Sequence, residues 1–184
     1  MEDNRIVQWL MHRIQHYDHQ KYWRRRQEVV NPHSKYCKLI RVLWLLYIKK
    51  CDAYNSASMG TNLGRGAIFK GIPILPHHLN GIIVGYDVII GSNVVIYQQV
   101  SIIQPSEGEK TVIGDNVKIG KGAVILGGCK VGNNVKIGAN AVVVNDVPDN
   151  CTVVGVPAKV VRINGLKVDV NAQKESSLEH NIIL

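Results

Sequence analysis

From Val84 to Val143 the chain returns to the same residue type every six positions, and a period of six excludes most folds. One residue in six reads Val84, Ile90, Ile96 and Ile102, then, after an interruption, Ile113, Ile119, Ile125, Val131, Ile137 and Val143. Gly follows the aliphatic residue at 85, 91, 114, 120, 132 and 138. Four places after it comes a small or β-branched residue: Val88, Val94, Val100, Val117, Ala123, Cys129, Val135, Ala141 and Val147. Such a repeat cannot hold one face of a 3.6-residue helix. It suits a solenoid of very short parallel strands, three six-residue units to a triangular coil. The Ile/Val column would then form the core, with the small residue facing in near a corner. Gly, and Asn at 93, 116 and 134, permit the tight corner conformations. The expected fold class is mainly β: a parallel β-helix of hexapeptide repeats behind an N-terminal helical segment.

The expected organisation is a helical segment over 1–58, the β-helix over 59–163 and a tail over 164–184. Charge separates the first two parts. Residues 1–54 hold 11 Lys/Arg against 5 Asp/Glu, of 22 and 14 in the whole chain, so most of the net charge of +8 lies in the preface. Asn4 can cap one helix and Asp18 a second that ends before Asn31-Pro32. Ser34 opens a longer one from about Lys35 to Tyr54, apolar nearly all round from Leu39 to Ile48 and too short to span a bilayer. That helix either packs on the solenoid or another subunit, or rests on a membrane surface. For the membrane, Trp9, Trp23, Trp44 and Arg24-Arg25-Arg26 suit anionic headgroups. Nucleic acid is not an expected partner, since the repeat region has little net charge. The four cysteines show no metal or disulfide spacing, and no signal peptide is visible; a reduced, cytoplasmic protein, at the inner face of the membrane if the helices dock there, is expected.

His77 and His78, on a turn just before the regular repeat, are the outstanding candidates for chemistry. Imidazole is the usual general base at neutral pH, because its unperturbed pKa lies close to it. The repeat itself is interrupted between Ile102 and Ile113, where five extra residues expel a polar loop, Gln104 to Thr111, from one corner.

The stretch from about Gly60 to Ile163 resembles the left-handed β-helix acyltransferases of the serine acetyltransferase and polysaccharide O-acetyltransferase type. The motifs that carry this are Leu75-Pro-His-His-Leu-Asn-Gly-Ile-Ile-Val-Gly85, Val95-Ile-Tyr-Gln-Gln-Val-Ser101, Ile119-Gly-Lys-Gly-Ala-Val-Ile-Leu-Gly127 and Val153-Val-Gly-Val-Pro-Ala-Lys159. The resemblance implies the left-handed sense, acetyl-CoA as co-substrate, no metal, and a homotrimer with the donor in grooves between neighbouring solenoids. It implies a histidine base at His77 or His78. Counting back from Gly81, an Asp-His-x-x-Gly pattern selects His78; a Pro-His-Gly-x-x-Gly pattern selects His77, which the Pro-His and Leu-Asn-Gly flanks favour. Where serine acetyltransferases place an orienting carboxylate, this chain has Met59-Gly60-Thr61-Asn62, leaving Asn62 to orient the imidazole. Positions matching the family's cofactor contacts are Lys121, Ala139, Asn145, Lys159 and Arg162, the last two cations suiting the 3′-phosphate and pyrophosphate. The expelled loop in that family reaches a neighbour's active site.

The function these readings imply is acetyl-CoA-dependent O-acetylation of a hydroxyl, with a sugar of a bacterial surface polysaccharide or its precursor as the expected acceptor. Serine is the alternative. The serine-specific enzymes carry Asp-Arg-His-Pro where Gly108-Glu109-Lys110-Thr111 stands here, and Glu109 would repel a carboxylate. A non-catalytic scaffold and a zinc lyase of the γ-carbonic-anhydrase type are the readings from other classes. The lyase needs three histidines, and the repeat region offers two adjacent ones.

Overall fold

The computed structural model describes residues 14, 16–103, 106 and 109–168. Among the described residues two helices precede the solenoid: α1 (His19–Val30) and α2 (Lys38–Tyr54). Asp18 caps α1 as expected, its carboxylate accepting from the Lys21 N–H at 2.9 Å. The second helix starts later than expected, at Lys38 with Cys37 as its uncapped N-terminal neighbour. Ser34 instead donates to Glu28 and accepts from the Tyr36 N–H, forming a turn between the helices. The helix expected after Asn4 lies outside the described residues.

Seventeen strands follow, most of them two residues long, and the parallel ones form three faces. The first face stacks β1 (Ser58–Met59), β5 (Ile83–Val84), β8 (Ser101–Ile102), β11 (Val124–Ile125) and β14 (Val142–Val143). The second stacks β4 (Ile68–Phe69), β6 (Val88–Ile90), β9 (Thr111–Ile113) and β12 (Lys130–Val131). On the third lie β7 (Val95–Ile96), β10 (Lys118–Ile119), β13 (Lys136–Ile137) and β15 (Cys151–Val154). The pairing register states the repeat directly: Ile83 pairs with Ser101 and Val124 with Val142, whereas Ser101 pairs with Val124 across the expelled loop. The result is a parallel β-helix of about four turns. At the start of the solenoid a hairpin, β2 (Thr61–Asn62) with β3 (Arg65–Gly66), lies against the C-terminal half of α1. At the far end β16 (Lys159–Ile163) runs back antiparallel on β15 and is followed by β17 (Leu166–Lys167).

All ten Ile/Val of the repeat and all nine residues four places on are buried, none more than 6% exposed. The column from Val84 to Val143 is therefore the core, and each of its members contributes roughly 1.5–3 kcal/mol on burial. The corner between the second and third faces is an asparagine ladder. Asn93, Asn116, Asn134 and Asn150 all hold a left-handed backbone, with φ between 57° and 59°. Each amide donates to the next oxygen along the axis, at 3.0, 3.2 and 3.0 Å. Asn tolerates this conformation better than other Cβ-bearing residues, and here it also pairs coil to coil.

Arg26 fastens the helices to the solenoid. It is 2% exposed and donates to the carbonyls of Met59 (2.7 Å), Gly60 (3.3 Å) and Ala67 (2.8 Å) and to Thr61 Oγ1 (2.9 Å). Its guanidinium also lies 4.6 Å from the Phe69 ring centroid. Burial pushes its pKa down to about 10, so it stays a cation at neutral pH. Beside it Tyr22 donates to the buried Asp52 at 2.7 Å.

Candidate active site

Three corners separate the three faces, and all the candidate residues but Lys159 and Arg162 fall on two of them. The corner from the third face to the first carries the histidines and is called here the histidine edge. Its rungs are Pro76–Gly81, Tyr97–Gln99, Gly120–Gly122 and Gly138–Asn140. Backbone bonds stack them: Gln99 N–H to Asn80 O (2.9 Å), Gly122 N–H to Gln98 O (3.0 Å) and Asn140 N–H to Lys121 O (2.8 Å). Gly81 N–H donates to Asn55 O at the end of α2, so the histidine turn is held by the helices as well as by the coil beneath it.

The two histidines differ in setting. His77 is exposed, with its ring 6.2 Å from that of Tyr97 one rung below. His78 is half-buried, with a left-handed backbone at φ 55°, and its ring meets the edge of Tyr17 at 5.7 Å. Tyr17 is itself buried, and its hydroxyl lies 2.7 Å from His19 Nδ1 and 3.2 Å from Trp23 Nε1. Burial and the neighbouring His78 both push the His19 pKa down. One wall of the site is thus aromatic and comes from the preface, some sixty residues upstream. Sequence reasoning missed Tyr17 and His19; only the Asp18 cap signalled that a helix starts there.

Lys121 and Ala139 lie exposed on the same edge, one and two rungs below Tyr97. Packing there is close: a Cβ on Gly120 would sit 2.6 Å from the Ala139 nitrogen. Lys159 and Arg162 are exposed on β16, beyond the last rung, where their cations suit an anionic group. Gln98 on this edge has its Oε1 buried without a hydrogen-bond partner among the described residues.

Asn62 and Asn145 sit elsewhere. Asn62 is exposed on the β2–β3 hairpin, and its amide oxygen accepts from the Leu63 N–H at 2.8 Å. Asn145 lies on the corner from the first face to the second, the loop edge, beside the expelled segment. There it shares an open depression of about 430 Å³ with Glu109, Gly128, Val144 and Asp146. Thr111 clamps the loop, donating to Ile103 O and accepting from the Gly128 N–H. Gly128 holds φ 86°, and a Cβ on it would come within 2.4 Å of a Glu109 carboxylate oxygen. Among the described residues no group of three His, Cys, Asp or Glu could hold a metal ion.

The first face separates the two edges, so one chain cannot bring its histidines to its own Asn145. That face carries no charge on its outward side, which shows Ser58, Ile83, Ser101, Val124 and Val142, and it is flanked along the loop edge by exposed Ile103, Leu126 and Val144.

Two family descriptions match the repeat region: bacterial transferase hexapeptide (six repeats) over residues 110–145, and hexapeptide repeat of succinyl-transferase over 77–98. The serine acetyltransferase of Synechococcus elongatus is 38% identical over 113 residues, covering 60% of this chain and 43% of that one. The solved serine acetyltransferase of Neisseria gonorrhoeae in complex with serine superposes with a TM-score of 0.60 at 32% identity, covering 77% of this chain and 57% of that one. A serine acetyltransferase in complex with CoA gives 0.56 at 32% identity, covering 67% and 49%. The chain spans about half the length of the relatives it matches. The solenoid is a hexapeptide-repeat β-helix, similar to the β-helices of these serine acetyltransferases.

Proposed function

We propose that this chain, whose β-helix is of the hexapeptide-repeat, serine acetyltransferase type, is an acetyl-CoA-dependent O-acetyltransferase that acts by direct transfer to a hydroxyl. The observation that carries this is the histidine edge. Imidazoles at one end, small residues along it and exposed cations past the other end match the thioester, pantetheine and phosphates of the donor in that order. The named relatives favour serine as the acceptor over a polysaccharide sugar. A sugar hydroxyl is the second reading, and Glu109 at the loop edge is the observation that favours it, because a carboxylate there opposes an amino-acid carboxylate.

His78 is the better base of the pair, because its ring is held between the solenoid turn and Tyr17 whereas His77 lies in solvent. In the reaction the neutral imidazole takes the hydroxyl proton as the oxygen attacks the thioester carbonyl. The tetrahedral oxyanion is stabilised by backbone N–H groups, with candidates in the turn after Val100, and collapses to ester and thiolate, which receives the proton. The assembly is a homotrimer in which the uncharged first faces meet, so that the histidine edge of one copy meets the loop edge and Asn145 of the next. The reading carries a cytoplasmic location with it, because that is where acetyl-CoA would be drawn from.

The test is thiol release from acetyl-CoA with L-serine, hexoses, nucleotide sugars and no acceptor, using the wild type, His77→Ala and His78→Ala. Loss of at least a hundredfold in His78→Ala alone supports the assignment. Loss in His77→Ala alone transfers the role to His77, and full activity in both overturns the scheme. Turnover with serine selects the first acceptor reading and turnover with sugars alone selects the second.

A further inference from the structure

We propose that the outward face of α2 docks on the surface of an anionic lipid bilayer. This is independent of the acceptor and of which histidine acts. Leu39, Leu43 and Leu46 are 70%, 57% and 61% exposed, and spacings of four and three put them on one stripe of the helix. The opposite side of α2 holds Ile48, Cys51 and Asp52, all buried. The leucines therefore face away from the body of the protein, each more than half exposed among the described residues.

Cations line both margins of that stripe. At about 100° per residue, Lys38 and Lys49 fall on one margin and Tyr47 on the other. Over the Tyr47 ring lie the Arg25 guanidinium, at 4.5 Å, and the Lys21 ammonium, at 5.4 Å, both contributed by α1. Lys50 continues the stripe at its C-terminal end, next to the exposed Tyr54. The one acidic residue of α2, Asp52, is 4% exposed, so the outward face has no carboxylate of its own.

This combination selects among occupants. A second copy of the same face would bring Lys38, Lys49 and Lys50 against their own kind. Nucleic acid would take the cations and leave three leucines in water. An anionic bilayer accepts both: leucines enter the boundary between headgroups and acyl chains, while the rim of lysine and arginine meets the headgroup charge. Among the described residues no helix is long and apolar enough to cross a membrane, so α2 would lie in the plane of the interface. The docked face is on the preface, which leaves the solenoid edges free.

The full chain is to be sedimented with vesicles of phosphatidylcholine alone and of phosphatidylcholine mixed with phosphatidylglycerol. Binding to the mixed vesicles, lost as salt is raised, with little to the neutral ones, is the expected result. Leu43→Glu should reduce it by about a hundredfold, and Lys49→Glu with Lys50→Glu by about tenfold or more. Circular dichroism melts should show both variants folded, since all three positions are exposed. Absence of binding to mixed vesicles, or binding unchanged in Leu43→Glu, overturns the proposal. So does a shift to a smaller assembly in Leu43→Glu by analytical ultracentrifugation, which would assign the face to a second copy.

Discussion

The Tyr17 hydroxyl lies 2.7 Å from His19 Nδ1, and this contact ties the imidazole to the buried Tyr17–Trp23 pair. The third member of the chain, Trp23 Nε1–H, can only donate, so the Tyr17 oxygen accepts from it. Tyr17→Phe removes that restraint and leaves the Trp23 N–H unpaired, which should cost about 1–3 kcal/mol in urea denaturation. Nitrogen NMR of His19 should show a changed tautomer balance once the Nδ1 contact is lost; an unchanged balance would show that something else holds the ring.

His19 also gives stability a dependence on pH. Its pKa is lowered in the fold, chiefly by burial and then by His78, so the unfolded chain binds the proton more readily. Its contribution is complete above the ordinary histidine pKa and fades as pH falls through it towards the folded value. Replacing His19 by Gln should flatten the acid side of the stability profile measured by thermal melts; an unaltered profile would refute the assignment.

Asp52 acts with the opposite sign. Burial raises its pKa to about 6, against the opposing bond from Tyr22. The folded state then holds the proton over a range in which the unfolded state has released it, so this group favours the fold most below its ordinary pKa. That contribution is lost as pH rises through about 6. Asp52→Asn should gain on the wild type by up to about 3 kcal/mol between pH 4 and pH 7. Denaturant titrations at the two pH values give the difference, and a gain in the reverse direction would show the carboxylate to be stabilised by its neighbours.

Arg26 satisfies three carbonyls and a hydroxyl at the seam between α1 and the solenoid. Arg26→Met should cost roughly 3–5 kcal/mol, because the partners it leaves are buried. Limited proteolysis should then cut within the preface while the solenoid resists. Equal resistance of both parts to protease would mean that the seam is held by the aromatic contacts alone.

At the loop edge, Glu109→Gln should lower the KM for serine about three- to fivefold with the KM for acetyl-CoA unchanged, if a carboxylate-bearing acceptor passes there. Steady-state kinetics with both substrates varied checks this. An unchanged KM for serine removes Glu109 from acceptor selection.

The solenoid was legible because each rung repeats the same local decision. Ile119 and Ile137 face the same environment as Ile96, so ten positions report one fact. The preface repeats nothing. The start of α2 could not be read because Ser34, a plausible cap, is used by Glu28 and Tyr36, partners that only the turn between helices brings together. Lys121 and Ala139 were legible through the family resemblance, and the structure puts them on the edge of the histidine turn because they share its phase in the repeat. Tyr17 and His19 were not, because their proximity to His78 depends on how the helices fasten to the coil, and Arg26 decides that through backbone carbonyls that carry no residue identity. Asn62, chosen by counting alone, has its oxygen turned to Leu63.

Because rungs are stacked about 4.8 Å apart, the histidine edge is a ruler. Four steps separate the His78 turn from the end of β15, where the chain reverses into β16 at Lys159. That places Lys159, the first exposed cation beyond the last rung, about 19 Å along the axis from the histidine turn, a length fixed by the number of coils and not by any loop. An insertion of eighteen residues would lengthen the ruler by one graduation and keep every residue on its own edge. An insertion of six would turn everything beyond it by a third of a revolution and carry Lys159 to a different edge. Donor-arm length is thus written in the chain as an integer, and evolution can change it only in whole coils.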